Sequence, residues 1–200
     1  MAGSDAELLE RSTLYKGFFE MALYKMRHRL FAGGMSRPFT REVFLRNPVA
    51  AVLPYDPVRD TVVLLEQFRA GMFAAGAERP WMIEIVAGII EEGETPEKVA
   101  HREAKEEAGA TIADLEPVMT YFPSAGGCSE YVHLYCGRVD SDGLGGIHGL
   151  EHEDEDIRVF VDKTDQALAR LARGEIENSL AIIALQWLAL NRDRLRQQWT

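Results

Sequence analysis

The chain has 200 residues, 46% hydrophobic and 27% charged, which fits one globular domain with room for a small appendage. A net charge of −10 at pH 7 argues against the basic surface that nucleic acid or an anionic membrane requires. Two cysteines, Cys128 and Cys136, imply no disulfide framework and fit a reduced cytoplasm; the first 30 residues lack a leader pattern, and the apolar stretch 180–190 is too short to span a bilayer.

In chain order, residues 14–19 and 21–30 are rich in aromatics and read as strands broken at Gly17. A turn signal follows at 31–35, and 40–45 reads as a third strand. Together they predict a small N-terminal antiparallel β-sheet segment over 1–46, ahead of a second region, 47–200. Pro54, Asp56, Pro57 and Asp60 mark a tight turn between apolar strands 49–53 and 61–67. Residues 70–80 read as a loop, and 81–87 as one strand that runs directly into Gly88. Strands 112–122 and 131–138 flank the loop 123–129, and 140–156 is an irregular span before a strand at 157–161. Thr164 is the expected cap of a short helix ending at Gly174, and Asn178 of the last helix, whose stripe Leu180, Ile183, Trp187 and Leu190 has core spacing. Mixed strands with one early helix and two late ones fit an α/β/α sandwich.

The most specific stretch runs from Gly88 to Ala110. Thr95 suits an N-cap, Pro96 the first helical position and Gly109 the stop, which predicts a helix over 96–108. On it Glu103, Glu106 and Glu107 lie three and four residues apart on one face, and carboxylates so placed repel by a few tenths of a kcal/mol per pair. A cation compensates such a face, and hard oxygen ligands suit Mg²⁺ or Mn²⁺ with a phosphate-bearing substrate. Glu103 and Glu107 are the leading ligands, with Glu106 adjacent and the Ala87 carbonyl as a further oxygen. Gly88 and Gly109 serve backbone turns, while Glu94 and Arg102 read as buttressing the loop through a charge-assisted hydrogen bond rather than as touching substrate. The acidic run 151–156 reads either as a solvated loop or as a flexible source of carboxylates that closes over metals.

Gly88, five residues, Glu94, seven residues, then Arg102-Glu103-Ala104-Lys105-Glu106-Glu107-Ala108-Gly109-Ala110 resembles the Nudix box, G-x5-E-x7-R-E-U-x-E-E-x-G-U with U aliphatic. Every fixed position matches, and only Ala110 is smaller than usual. At a background of about one in fifteen per position, chance gives such a match roughly once in a hundred million windows. Similarity extends over nearly the whole chain, including Ala50-Ala51-Val52-Leu53-Pro54, Glu66-Gln67-Phe68-Arg69 and Gly145-Gly146-Ile147-His148-Gly149-Leu150. These segments resemble the dimeric bacterial ADP-ribose pyrophosphatase branch of the Nudix hydrolases.

That resemblance implies an α/β/α sandwich with a mixed sheet and the box as loop–helix–loop. It implies two or three Mg²⁺ (or Mn²⁺) ions held by the Ala87 carbonyl, Glu103, Glu107 and Glu155, with Glu153 as the catalytic base in a mobile loop. It assigns substrate contacts to Phe18, Phe19, Arg41, Glu42, Arg69 and Glu130, with Ile89 lining the pocket. It also implies a homodimer in which the N-terminal segment is exchanged. The expected reaction splits ADP-ribose into AMP and ribose 5-phosphate. GDP-mannose, another nucleotide sugar or FAD would keep the chemistry and change the substrate. A non-catalytic ADP-ribose sensor is the reading from a different class; the complete set of box carboxylates and the lack of a basic recognition helix stand against it. One departure bears on the substrate: Ala125 stands where the branch usually carries proline, with Pro123 two residues earlier.

Overall fold

The structure is a computed structural model that describes residues 5–150 and 154–200. Its strands and helices divide between two compact units, Met1–Pro48 with Phe122–Tyr131, and Val49–Tyr121 with Val132–Thr200.

In the first unit, β1 (Ala6–Lys16), β2 (Glu20–His28) and β3 (Phe39–Leu45) form an antiparallel sheet. β1 starts well before residue 14 because its polar residues find cross-strand partners. Arg27 Nε donates to Glu7 at 2.7 Å, and Arg11 Nε donates to Tyr24 Oη at 3.3 Å. The chain reverses at 17–19, where Gly17 N donates to Phe19 O at 2.9 Å. Segment 122–131 joins this unit through its backbone, with Phe44 N donating to Gly127 O (2.8 Å) and Ser129 N to Phe44 O (3.0 Å).

In the second unit, β4 (Val49–Asp56), β5 (Thr61–Phe68), β6 (Trp81–Glu84), β7 (Val86–Ile89), β8 (Asp114–Tyr121), β9 (Val132–Arg138), β10 (Gly146–His148) and β11 (Ile157–Lys163) make one mixed sheet. Its order is β10-β11-β5-β4-β9-β8, and β4 runs parallel to β9 while the other pairs are antiparallel. β4 and β5 pair only beside their turn, at Tyr55↔Val62 and Asp56↔Thr61. Beyond it β6 pairs with β5 and β7 with β4. The single strand expected over 81–87 is therefore two, divided at Ile85, because each half has a different neighbour.

Alternation along the central strands sends side chains into two layers. Leu53, Tyr55, Val62 and Leu64 pack with Ala181, Ala184, Leu185 and Leu188 of α4 (Ser179–Trp199) and Ala167 of α3 (Thr164–Ala172). Val52, Val63 and Leu65 pack with Ala100, Ala104 and Ala108 of α2 (Pro96–Ala108). The result is the α/β/α sandwich.

Four local expectations are corrected. Residues 70–80 hold a short helix, α1 (Ala70–Ala74), and the irregular span 140–156 holds β10. Thr164 is the first helical residue of α3, with Lys163 at the N-cap. Over 180–190 of α4 the fully buried residues are Ala181, Ala184, Leu185 and Leu188; Leu180, Ile183 and Trp187 pack partly buried against the same core, so only Leu190 of the expected stripe, 87% exposed, is misplaced. Residues 180–190 are apolar almost all round, so several faces have helical spacing and only packing selects one.

The β4–β5 turn is locked by a buried carboxylate. Asp56 accepts from Val58 N, Arg59 N and Ser141 N (each 2.9 Å) and from Ser141 Oγ (2.7 Å), and pairs with Arg59 Nη1 at 3.2 Å. Burial alone would raise its pKa, but these donors outweigh it and hold Asp56 at about 2.

Candidate active site

The site grows from the β7–α2 junction. Thr95 Oγ1 accepts from Lys98 N at 3.4 Å, Pro96 opens the helix, and Gly109 closes it at φ 63°. A Cβ on Gly88 would lie 1.8 Å from Glu103 Oε1, so only glycine lets that carboxylate rest against β7. Arg102 holds the box together. Its Nε donates to Glu94 Oε1 (3.3 Å) and its Nη1 to Glu103 Oε1 (2.7 Å) and Glu106 Oε2 (3.1 Å). Glu94 Oε2 also accepts from Glu91 N at 3.1 Å, which closes the loop ahead of α2.

Glu107 is 5% exposed and its Oε2 accepts from Ala87 N at 3.1 Å. In an antiparallel ladder a residue's N–H and C=O point to the same side. Because Ala87 N turns away from its partner Ala51 on β4 towards Glu107, the Ala87 carbonyl faces that side too. Burial pushes the Glu107 carboxyl well above its ordinary range; Glu103 and Glu155 push it further, against the Ala87 N–H. Glu103 is raised first by burial and then by Glu106 and Glu155, with Arg102 opposing.

Glu155 thus acts on both Glu103 and Glu107, and its charge lies in their electrostatic neighbourhood. Glu155 is held at the base of its loop: its N donates to Leu150 O, and its Oε2 accepts from Leu150 N, both at 3.3 Å. Gly149, at φ 104°, is required there, since a Cβ would lie 2.7 Å from Glu155 O. Glu153 lies outside the described residues. Among the described residues, no three acidic, histidine or cysteine side chains close into a metal-binding cluster as they stand. Glu103 is drawn onto Arg102 and Glu107 onto Ala87 N. The donor chemistry, two partly or fully buried carboxylates whose ionisation is opposed and a carbonyl beside them, fits a hard divalent cation such as Mg²⁺.

The remaining candidates fall in separate units. In the second, Ile89 ends β7, and Arg69 follows β5, donating through Nη2 to Glu84 Oε2 at 2.6 Å. In the first, Phe18 is 87% exposed and meets Phe19 edge-on at 4.7 Å between ring centroids. Phe19 packs on Phe44 (5.0 Å) with Arg46 4.8 Å above its ring, and Glu130 pairs with Arg46 Nε at 2.9 Å. Arg41 and Glu42 are neighbours on β3, Arg41 lying 4.9 Å over Phe39. Ala125 sits in a turn closed by Ser124 O, which accepts from Gly127 N (3.3 Å) and Cys128 N (3.0 Å).

Sequence reading missed Glu84. It is 3% exposed, and accepts from Gln67, Arg69 and Asn178. The available signal was a lone charged residue among apolar ones in a stretch read as a strand.

Comparison with known proteins shows the family of the chain. The family description "NUDIX domain" matches residues 45–181. The chain is 48% identical over 196 residues to the ADP-ribose pyrophosphatase of Escherichia coli strain K12, covering 98% of this chain and 93% of the relative. It is 36% identical over 148 residues to the GDP-mannose pyrophosphatase of Klebsiella pneumoniae subsp. pneumoniae, covering 74% of each. A crystal structure of an ADP compounds hydrolase shares the fold, with a TM-score of 0.70 and 17% identity over 100% of this chain and 98% of that one. With the box carried on β7 and α2 inside the matched span, the chain belongs to the Nudix family.

Proposed function

We propose that this protein is a Mg²⁺-dependent pyrophosphatase that splits ADP-ribose into AMP and ribose 5-phosphate. The observation that carries the reading is Glu107 on Ala87 N and Glu103 against Gly88, two carboxylates whose ionisation burial and the charge of Glu155 oppose and a cation would favour. The 48% identical relative of that name supports the choice of substrate. Bound magnesium ions, two or three per site, would supply charge neutralisation for the diphosphate and a water of lowered pKa.

The chain's own residues do the rest. Glu103, Glu107, Glu155 and the Ala87 carbonyl hold the ions, and Arg102 and Glu94 hold the box loop. Glu153 takes the proton from the attacking water. Arg69 grips the diphosphate, and Phe18 and Phe19 offer aromatic faces to adenine. Arg41, Glu42, Glu130 and Ile89 line the nucleotide's path. Phe18 (87% exposed), Tyr15 (66%) and Leu14 (51%) leave more apolar surface on the first unit than a three-stranded sheet keeps in water. A second copy covers it, with the N-terminal segments exchanged so that each completes its partner's adenine pocket. The free thiols of Cys128 and Cys136 fit work in the cytoplasm.

A second reading, GDP-mannose as substrate, is favoured by Ala125 in the usual proline position and by the 36% identical relative. Chromatography of the products formed with each substrate under Mg²⁺ decides between them. ADP-ribose should yield AMP and ribose 5-phosphate at the higher kcat/KM; faster cleavage of GDP-mannose reverses the assignment. Removing residues 1–46 in the same assay should abolish both dimerisation, read by light scattering, and ADP-ribose affinity. A monomer that still binds ADP-ribose normally refutes the shared site.

A further inference from the structure

Glu84 lies outside the box and takes no part in the chemistry above, yet it is a buried carboxylate with both oxygens committed. Oε1 accepts from Arg69 Nε (3.0 Å) and Asn178 Nδ2 (2.9 Å). Oε2 accepts from Gln67 Nε2 (3.1 Å), Arg69 Nε (3.0 Å) and Arg69 Nη2 (2.6 Å). Burying a charge is unfavourable unless partners replace its water, and here they come from β5, the residue after it and the cap of α4. Asn178 is itself fixed, because its Oδ1 caps α4 by accepting from Leu180 N (2.8 Å) and Ala181 N (3.2 Å). Its Nδ2 is thereby aimed at Glu84.

What this assembly holds is one guanidinium. Two of the three Arg69 nitrogens are bound to Glu84, while Nη1 makes no hydrogen bond among the described residues and the side chain remains 45% exposed. Burial works against the Arg69 charge, and Glu84, Glu107 and Glu155 all sustain it, so the guanidinium shares the electrostatic neighbourhood of the box carboxylates. The geometry points to Glu84 as a positioning residue that locks Arg69 in one plane, with Gln67 and Asn178 as its supports, so that Nη1 is presented to the substrate diphosphate. A free arginine loses rotamer freedom when it grips a phosphate, whereas a held one has lost it on folding. This inference rests on Arg69 being a substrate contact, as proposed above.

A double-mutant cycle tests it, on whichever of ADP-ribose and GDP-mannose the wild type cleaves faster. Glu84→Gln keeps the shape but turns an amide NH2 towards existing donors. We expect KM to rise about tenfold or more with kcat within about threefold, the mark of lost uniform binding. In an Arg69→Ala background the same change should add less than about twofold, because the partner it positions is gone. A tie that only secures β5, β6 and α4 would give the full penalty in both backgrounds, and that result overturns the proposal. If Glu84→Gln does not fold, Asn178→Ser takes its place: serine keeps the cap oxygen and loses the Nδ2 donor. KM should then rise about threefold with Arg69 present and not with Arg69→Ala; an unchanged KM refutes the proposal. Cleavage of GDP-mannose but not ADP-ribose sinks the substrate assignment alone, and cleavage of neither sinks both.

Discussion

Asp56 and Glu107 are both buried carboxylates of the second unit, 1% and 5% exposed, and the fold treats them in opposite ways. Asp56 receives backbone, hydroxyl and guanidinium donors, and its pKa falls to about 2. Glu107 receives one backbone N–H and faces Glu103 and Glu155, and burial drives its carboxyl well above the ordinary 4.5. Burial alone therefore does not distinguish a structural acid from a functional one; the number of donors aimed at it does. Asp56 is complete within the protein. Glu107 has a single hydrogen-bond donor, Ala87 N, and the proposed cation would supply the rest.

The sharpest way to break that contrast is to neutralise each acid in turn. Glu107→Gln keeps the shape and deletes a charged ligand, so kcat/KM should fall about a thousandfold or more, roughly 4 kcal/mol of transition-state stabilisation. Without metal the variant should be as stable as wild type or more so, since a poorly compensated buried anion has gone. Near-normal turnover at ordinary Mg²⁺, or a large loss of metal-free stability, would place Glu107 with Asp56 instead. Glu153→Gln should differ from both, lowering kcat about a hundredfold with KM little changed, as for a proton acceptor acting in the transition state. Equal small effects at Glu153 and Glu155 would return the loop to a solvated acidic turn.

Asp56→Asn should show the reverse pattern, with activity retained and stability lost. A folded pKa of about 2 against an ordinary 3.8 corresponds to about 2 kcal/mol. A depressed carboxyl contributes fully above pH 3.8, and that contribution disappears as pH falls through about 2. Urea unfolding of both proteins should thus differ by at least about 2 kcal/mol at pH 6, with the gap shrinking by about that amount towards pH 2. A gap that does not change with pH would show that the charge of Asp56 is not what the turn uses.

The features that could be read in the sequence are those with local causes. Thr95, Pro96 and Gly109 delimit α2 by capping chemistry, and the three- and four-residue spacing alone puts Glu103, Glu106 and Glu107 on one face. The turn at 54–60 was equally readable from its prolines and aspartates. What could not be read depends on distant partners. Whether 81–87 is one strand or two follows from β4 and β5 diverging beside it, and Glu84 is saturated by Asn178, 94 positions along the chain. The α4 stripe was wrong at its last position for a different reason: a helix apolar on most sides carries no unique periodicity, so Leu190 looked as buried as Trp187 until the sheet beneath selected a face.

The smallest expected effect addresses the cation itself. A ligand that binds only the folded state stabilises by RT ln(1 + [L]/Kd), about 1.4 kcal/mol at tenfold excess over Kd. For a chain of this size that raises Tm by roughly 3 to 6 °C. Wild type titrated with Mg²⁺ alone, without substrate, should show that rise, because the ion relieves the repulsion among Glu103, Glu107 and Glu155. Glu107→Gln should start at an equal or higher metal-free Tm and gain less from Mg²⁺. Asp56→Asn should start lower and gain the full increment, since its partners lie at the β4–β5 turn and at Ser141, away from the ligands. An equal Mg²⁺ increment in all three proteins would mean that the ion binds elsewhere. Under-satisfied burial at Glu107 would then have no cation to explain it.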